Sequence, residues 1–312
     1  MDSQKISVLL ISLAEVLAVV GGAVLLTGLL TWPLVPVAFR AELPVRPGSD
    51  HSRAVLPIDE LNRRFEERGV ARHAHVELRD GAQLLVLTGI TSPETAEQEI
   101  AEILTESGYR EEAVLFLPTA DTSRLLDSPA KLTASVVIQA AIFLAVGILM
   151  VHWRLRPRAP EARGKTWPSV GIGLIGGIAA FALGIGIAYG LELVGFPVEE
   201  QAWIEELLSR RDVLIRMLPW ILVVIPLSEE VFFRGYVYRF LAERAGFPAG
   251  FLASSVLFSL VHFHLSGFLI YLAVGCAFAL VYARASNLLA PVVAHVTYNA
   301  IAVVFQLFFG DA

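Results

Sequence analysis

The sequence predicts a mainly α-helical protein: a polytopic transmembrane helical bundle of about seven spans, with a small extracytoplasmic α+β domain inserted between the first two. Three observations predict it. Of 312 residues, 55% are hydrophobic and 17% charged, and mean hydropathy is +0.64. Apolar stretches of about 18 residues or more, long enough to cross a bilayer, recur along the chain. The interval 37–128 breaks that pattern with interspersed arginines and acids. Disorder, collagen and coiled coil need other compositions. The lone cysteine, Cys276, rules out a disulfide scaffold. A net charge of −6 leaves no basic footprint for nucleic acid.

The first span is Ile6–Trp32. It is longer than a signal-peptide core and shows no small-residue cleavage site before Trp32, so residues 1–36 read as a retained anchor. Glu15 interrupts it without a visible partner. Pro44, Pro47 and Gly48 mark the entry of the inserted domain, residues 37–128, and Ser128–Pro129 its exit. Ile58, Leu61 and Phe65 form a helical stripe. His75–Arg79 and Ala82–Thr88 read as strands joined by an Asp80–Gly81 hairpin turn. Ser92 and Pro93 start a second helix, Ile100, Ile103 and Leu104 are its buried stripe, and Gly108 stops it. Ala113–Leu117 reads as a third strand. This α-β-β-α-β order, with its "DG" turn and following "LTG", weakly resembles BON-type periplasmic domains.

Residues 129–212 hold spans at Leu132–Trp153 and Val170–Phe196, and a short surface helix at Glu199–Asp212. Between those spans, Arg154, Arg156, Arg158, Arg163 and Lys165 face one acid, Glu161. Short basic loops stay in the cytoplasm. That places the N-terminus inside and residues 37–128 outside, as in a bacterial inner-membrane protein. The pairs Gly173/Gly177 and Gly186/Gly190 let helices approach closely. Residues 213–312 hold four closely spaced apolar helices and the informative polar residues.

Those residues form three clusters: Glu229-Glu230 with Arg234, Phe258 with His262, and His295 with Asn299. A charge at bilayer depth costs about 2.5–3.5 kcal/mol on insertion scales, so it calls for partners and function. Glu230 and Arg234, at i and i+4, share a face and can pair, while Glu229 points about 100° away and stays available. His295 and Asn299 are also i, i+4. With inner turns near Ala245 and Ser286, all three clusters fall at roughly 12–25 Å along their helices, one layer of the membrane. Tyr298 points off the His295/Asn299 face, and His264 reads as a loop histidine.

The segments EExxxR, FxxxH and HxxxN, in order on successive helices within Pro219–Val304, resemble the CAAX proteases and bacteriocin-processing enzymes (the CPBP or Abi family, which includes type II CAAX prenyl endopeptidases). The resemblance implies an intramembrane endopeptidase. Glu229 would activate water with His262, His295 and Asn299 would stabilise the oxyanion, and Glu230 and Arg234 would support them, with no cofactor. The substrate would be a membrane-anchored peptide or protein in the lipid bilayer. A zinc version held by Glu229, His262 and His295 with one open position remains beside it, although HExxH is absent. A non-catalytic membrane scaffold or immunity protein, and a proton-coupled transporter, are the readings from other classes. The site is expected to open toward the basic-loop face, leaving residues 37–128 to meet an extracytoplasmic partner or lipid.

Overall fold

A computed structural model describes residues 3–34, 37–47, 57–71, 73–79, 82–90, 92–111, 114–120, 128–155, 165–196, 198 and 207–309. In chain order the elements are α1 (Ser3–Thr31), a short 3-10 turn (Trp32–Leu34), β1 (Val37–Pro47), α2 (Ile58–Glu67), β2 (His73–Arg79), β3 (Ala82–Ile90), α3 (Pro93–Glu106), β4 (Tyr109–Glu111) and β5 (Leu115–Ala120). There follow α4 (Pro129–Arg154), α5 (Thr166–Leu193), α6 (Arg211–Pro219), α7 (Ile225–Glu230), α8 (Arg239–Ala245), α9 (Phe247–Leu260), α10 (Phe268–Ala285) and α11 (Leu289–Phe309). Trp220–Val224 and Val231–Tyr238 are π-helical links that join α6, α7 and α8 into one run. The chain divides into two units, residues 1–34 with 128–312 and residues 35–127.

The larger unit is a helical bundle, and the protein is an integral membrane protein. Five of its described helices are long and apolar enough to cross a bilayer: α1, α4, α5, α10 and α11. The other two stretches read as spans take different forms. One is the run from Arg211 to Ala245, and the other is the 14-residue α9. Their register is fixed by close contacts. Thr133 of α4 donates to Met217 Sδ at 3.8 Å, and a Cβ on Gly147 would lie 3.1 Å from the Phe232 Cα. α4 and the Arg211–Ala245 run therefore lie side by side and point the same way. At the far end Arg154 pairs with Glu15 of α1 at 2.8 Å, which supplies the partner that the sequence did not show. Fully buried Phe232, Phe233, Tyr236, Phe240, Phe258 and Phe278 fill the core.

The smaller unit is an antiparallel sheet in the order β2-β3-β1-β4, with β5 also on β1. Two helices bury Leu61, Phe65, Ile100, Ile103 and Leu104 in one core with Leu43, Leu85, Leu87 and Ile90. β1 is the central strand: it pairs with β3 over Phe39–Pro44, with β5 over Val37–Glu42 and with β4 over Val45–Pro47. Sequence reading missed it, because Pro44 and Pro47 signal a break. The strand nonetheless runs through both, with Pro44 opposite Leu84 and Pro47 opposite Tyr109, and on one edge it changes partner from β5 to β4 after Glu42. β2 and β3 pair down to Arg79↔Ala82; the expected Asp80–Gly81 turn itself lies outside the described residues. α3 begins at Pro93, and Gly108 follows its end at φ +82°, a left-handed conformation that suits glycine. Most of the expected surface helix at Glu199–Asp212, and of the basic stretch 156–164, also falls outside the described residues.

Candidate active site

The short helix α7 carries the pair of glutamates. Its Pro226 has no N–H to give, and the segment before it widens into π geometry. The Ile225 N–H bonds to the Trp220 carbonyl, five residues back. The next carbonyl, that of Ile221, would need the N–H of residue 226, which is proline. Asn299 of α11 fills the gap: its Nδ2 donates to Ile221 O at 2.9 Å. A backbone carbonyl freed within a membrane helix needs such a partner.

Glu230 and Arg234, one turn apart, are both fully buried. Arg234 donates from Nη1 to Glu230 Oε1 at 2.9 Å and from Nη2 to the Gly275 carbonyl at 2.8 Å. Its guanidinium lies over the Phe258 ring at 4.7 Å and near Phe278 at 5.6 Å. A Cβ at Gly275 would press on Ser255 O at 3.1 Å and on the Phe258 ring at 3.2 Å, so glycine eases the close approach there. The cation is thus compensated by a carboxylate, a carbonyl and two ring faces, as a buried charge requires.

His295 of α11 closes the network. Its Nδ1 lies 3.0 Å from Glu230 Oε1, and its ring stacks on Phe278 with centroids 4.7 Å apart. With Nδ1–H donated to Glu230, Nε2 is directed toward Glu229, 3.9 Å from its Oε2. Glu229 is 5% exposed, and its Oε2 makes no hydrogen bond among the described residues. The division of labour read from helical spacing is present in the geometry: Glu230 is engaged and Glu229 is available. His262 follows α9 in a turn; its Nδ1 is 2.7 Å from the Phe258 carbonyl, and its ring stacks on Tyr271 at 4.1 Å. With Nδ1–H donated there, the His262 Nε2 is the accepting nitrogen.

Glu229, His262, His295 and Asn299 all line one cavity of about 630 Å³. It runs from Glu229 toward the end of the bundle where α4 and α6 begin, past Val136, Leu214, Gly267 and Gln306. The expectation of an opening toward the basic-loop face is corrected: on that side of Glu229 the buried rings of Phe232, Phe233, Tyr236 and Phe240 fill the space. Tyr298, to which the sequence assigned no role, also lines the cavity, as does His264. Tyr298 follows His295 by three positions, a helical-neighbour spacing that could have flagged it. Tyr271 and Gln139 were missed as well, and no local spacing connects them to the motifs. The zinc alternative needs donors converging on one point. Among the described residues no three His, Cys, Asp or Glu side chains gather in that way.

A model of the family described as type II CAAX prenyl endopeptidase Rce1-like matches residues 211–301, the segment that carries all seven motif residues. The chain is 33% identical over 167 residues to "Putative membrane peptidase YdiL" of Bacillus subtilis, covering 51% of this chain and 67% of that protein. It is 35% identical over 78 residues to "UPF0177 protein YxdF" of Lactococcus lactis, covering 25% of this chain and 42% of that protein.

Proposed function

The chain belongs to the CAAX protease and bacteriocin-processing family, and from that membership we propose that it is an intramembrane endopeptidase of the glutamate-dependent type. The single observation that carries the reading is Glu229: a carboxylate buried at the inner end of a cavity, with one oxygen lacking a hydrogen bond among the described residues and a histidine nitrogen 3.9 Å away. Water held between Glu229 and His262 Nε2 gives its proton to Glu229 and attacks the peptide carbonyl. The negative charge that forms on the carbonyl oxygen faces His295, which acts as an imidazolium with Nδ1–H held on the Glu230–Arg234 pair and Nε2–H left to donate, and the second amide hydrogen of Asn299. Both are fixed before substrate arrives, so little reorganisation is needed when the charge develops. Glu229 then returns the proton to the leaving amine, and the bond breaks. The substrate is a peptide segment of a membrane-anchored protein, since the cavity is walled by apolar helices of the bundle.

The test is cleavage of a fluorogenic membrane-peptide library by the purified full-length protein in detergent. Glu229→Gln, His262→Ala and His295→Ala should each lower turnover by about two to four orders of magnitude, the usual weight of a general base or oxyanion donor, with the melting profile retained. Full turnover in any one of them refutes that residue's role. Loss of activity with a chelator and recovery with zinc would replace the glutamate mechanism by a metal-dependent one.

A further inference from the structure

α4 lies outside the segment matched by the family model, yet it forms one wall of the cavity through Val136 and Gln139. Between Ser135 and His152, Gln139 is the only residue of that helix with a polar side chain. Glutamines in membrane helices usually hydrogen-bond to a neighbouring helix. The Gln139 amide makes no hydrogen bond among the described residues, and it reaches the cavity instead. The register places it relative to the glutamate. Gly147 is level with Phe232, so at 1.5 Å per residue Gln139 is offset from Glu229 by about 8 Å along the helix axes, toward the cavity's far end. An extended peptide advances about 3.3–3.6 Å per residue, so that distance corresponds to between two and three residues.

We infer that Gln139 is a positioning residue for substrate: its amide pairs with the backbone of an extended, apolar peptide segment two or three residues from the scissile bond. The inference rests on the endopeptidase reading above. A peptide entering this cavity leaves water among Leu214, Ile221, Ile225 and Val274, where an unpaired N–H or C=O is costly. A glutamine both donates and accepts, so one side chain can satisfy a donor and an acceptor of an extended strand. It also fixes the register, holding one peptide bond over Glu229.

The experiment uses the full-length protein in detergent and end-blocked Ala/Leu peptides whose cleaved bond is located by mass spectrometry. A parallel set carries a methyl group on one backbone nitrogen at a time. In the wild type, methylation at one position, two or three residues from the cleaved bond, should raise KM roughly three- to tenfold, the weight of one hydrogen bond. Gln139→Leu should raise KM of the unmethylated peptide by a similar factor, keep kcat within about twofold, and remove the sensitivity at that position alone. If Gln139→Leu does not fold, Gln139→Met carries the same comparison. An unchanged KM, or methylation effects that multiply with the substitution at every position, overturns the assignment. Glu229→Gln separates the two levels. If the wild type cleaves no peptide that Glu229→Gln leaves intact, the endopeptidase reading fails and this inference with it. If it does cleave and Gln139 proves indifferent, only this inference fails.

Discussion

Asn299 has two demands on one amide. It completes the backbone around Pro226 by donating to Ile221 O, and its remaining hydrogen is available to an oxyanion. The first demand predicts a stability effect separable from catalysis. Asn299→Ala should destabilise the protein by about 1–3 kcal/mol, the cost of an unsatisfied buried carbonyl. Adding Pro226→Ala supplies the N–H that Ile221 O lacks and should recover much of that loss, while turnover stays low. Thermal melts of both single variants and the double variant measure it; an additive result would show that the Ile221 bond carries no weight. The contrast between Glu230 and Glu229 was legible in the sequence, because i, i+4 spacing alone pairs Glu230 with Arg234. The bonds from His295 to Glu230 and from Asn299 to Ile221 were not, since they span 65 and 78 residues. The second also depends on a π turn that no hydrophobic period announces.

Helix α11 is held in place by α5, and glycine makes that approach possible. A Cβ on Gly173 would lie 2.6 Å from Ala290 O, and one on Gly177 would strike Ala294 O and Thr297. Both contacts sit on the turns around His295. At the other small-residue pair read from the sequence, Gly186/Gly190, a Cβ would meet nothing within 4 Å among the described residues. Spacing alone could not tell the two apart, because which face of α5 meets α11 is decided by packing, not by the motif. Gly177→Leu should therefore displace α11, lowering both turnover and melting temperature, by an amount typical of overpacking, about 1–3 kcal/mol or more. Gly186→Leu should leave both nearly unchanged. Equal effects at the two positions, in melts and cleavage assays run together, would mean that α5 does not set the height of His295. The inserted unit's helices were read correctly for a simpler reason: Leu61, Phe65, Ile100 and Ile103 repeat at helical spacing and are all buried. Its central strand carried no such period.

At the scale of the whole molecule the question is which side of the membrane the cavity faces, and what the unit at residues 35–127 does there. Both chain connections to that unit, at Leu34 and Ser128, belong to the bundle. The Ser128 connection leads directly into α4, at the end toward which the cavity runs. The opposite end carries Arg154 and leads into the basic stretch that short-loop charge bias places in the cytoplasm. We therefore expect the cavity to face away from the cytoplasm, on the side where the inserted unit is tethered. In a Cys276→Ala background, a cysteine at Ser92 or Thr119 should react with an impermeant thiol reagent applied to intact cells, and one at Ala162 should not. The reverse pattern would invert this orientation. We expect the unit to have a role that the chemistry does not need: selecting or recruiting substrates. Replacing residues 35–127 with a short Gly/Ser linker removes the whole sheet, including β1, rather than cutting through it. The shortened protein should still cleave small soluble peptides with kcat close to the full chain, because Glu229, His262, His295 and Asn299 all lie in the bundle. Its preference among membrane-anchored substrates should flatten. A folded, membrane-inserted deletion variant with no activity toward any peptide would show that the inserted unit is itself part of the catalytic machinery.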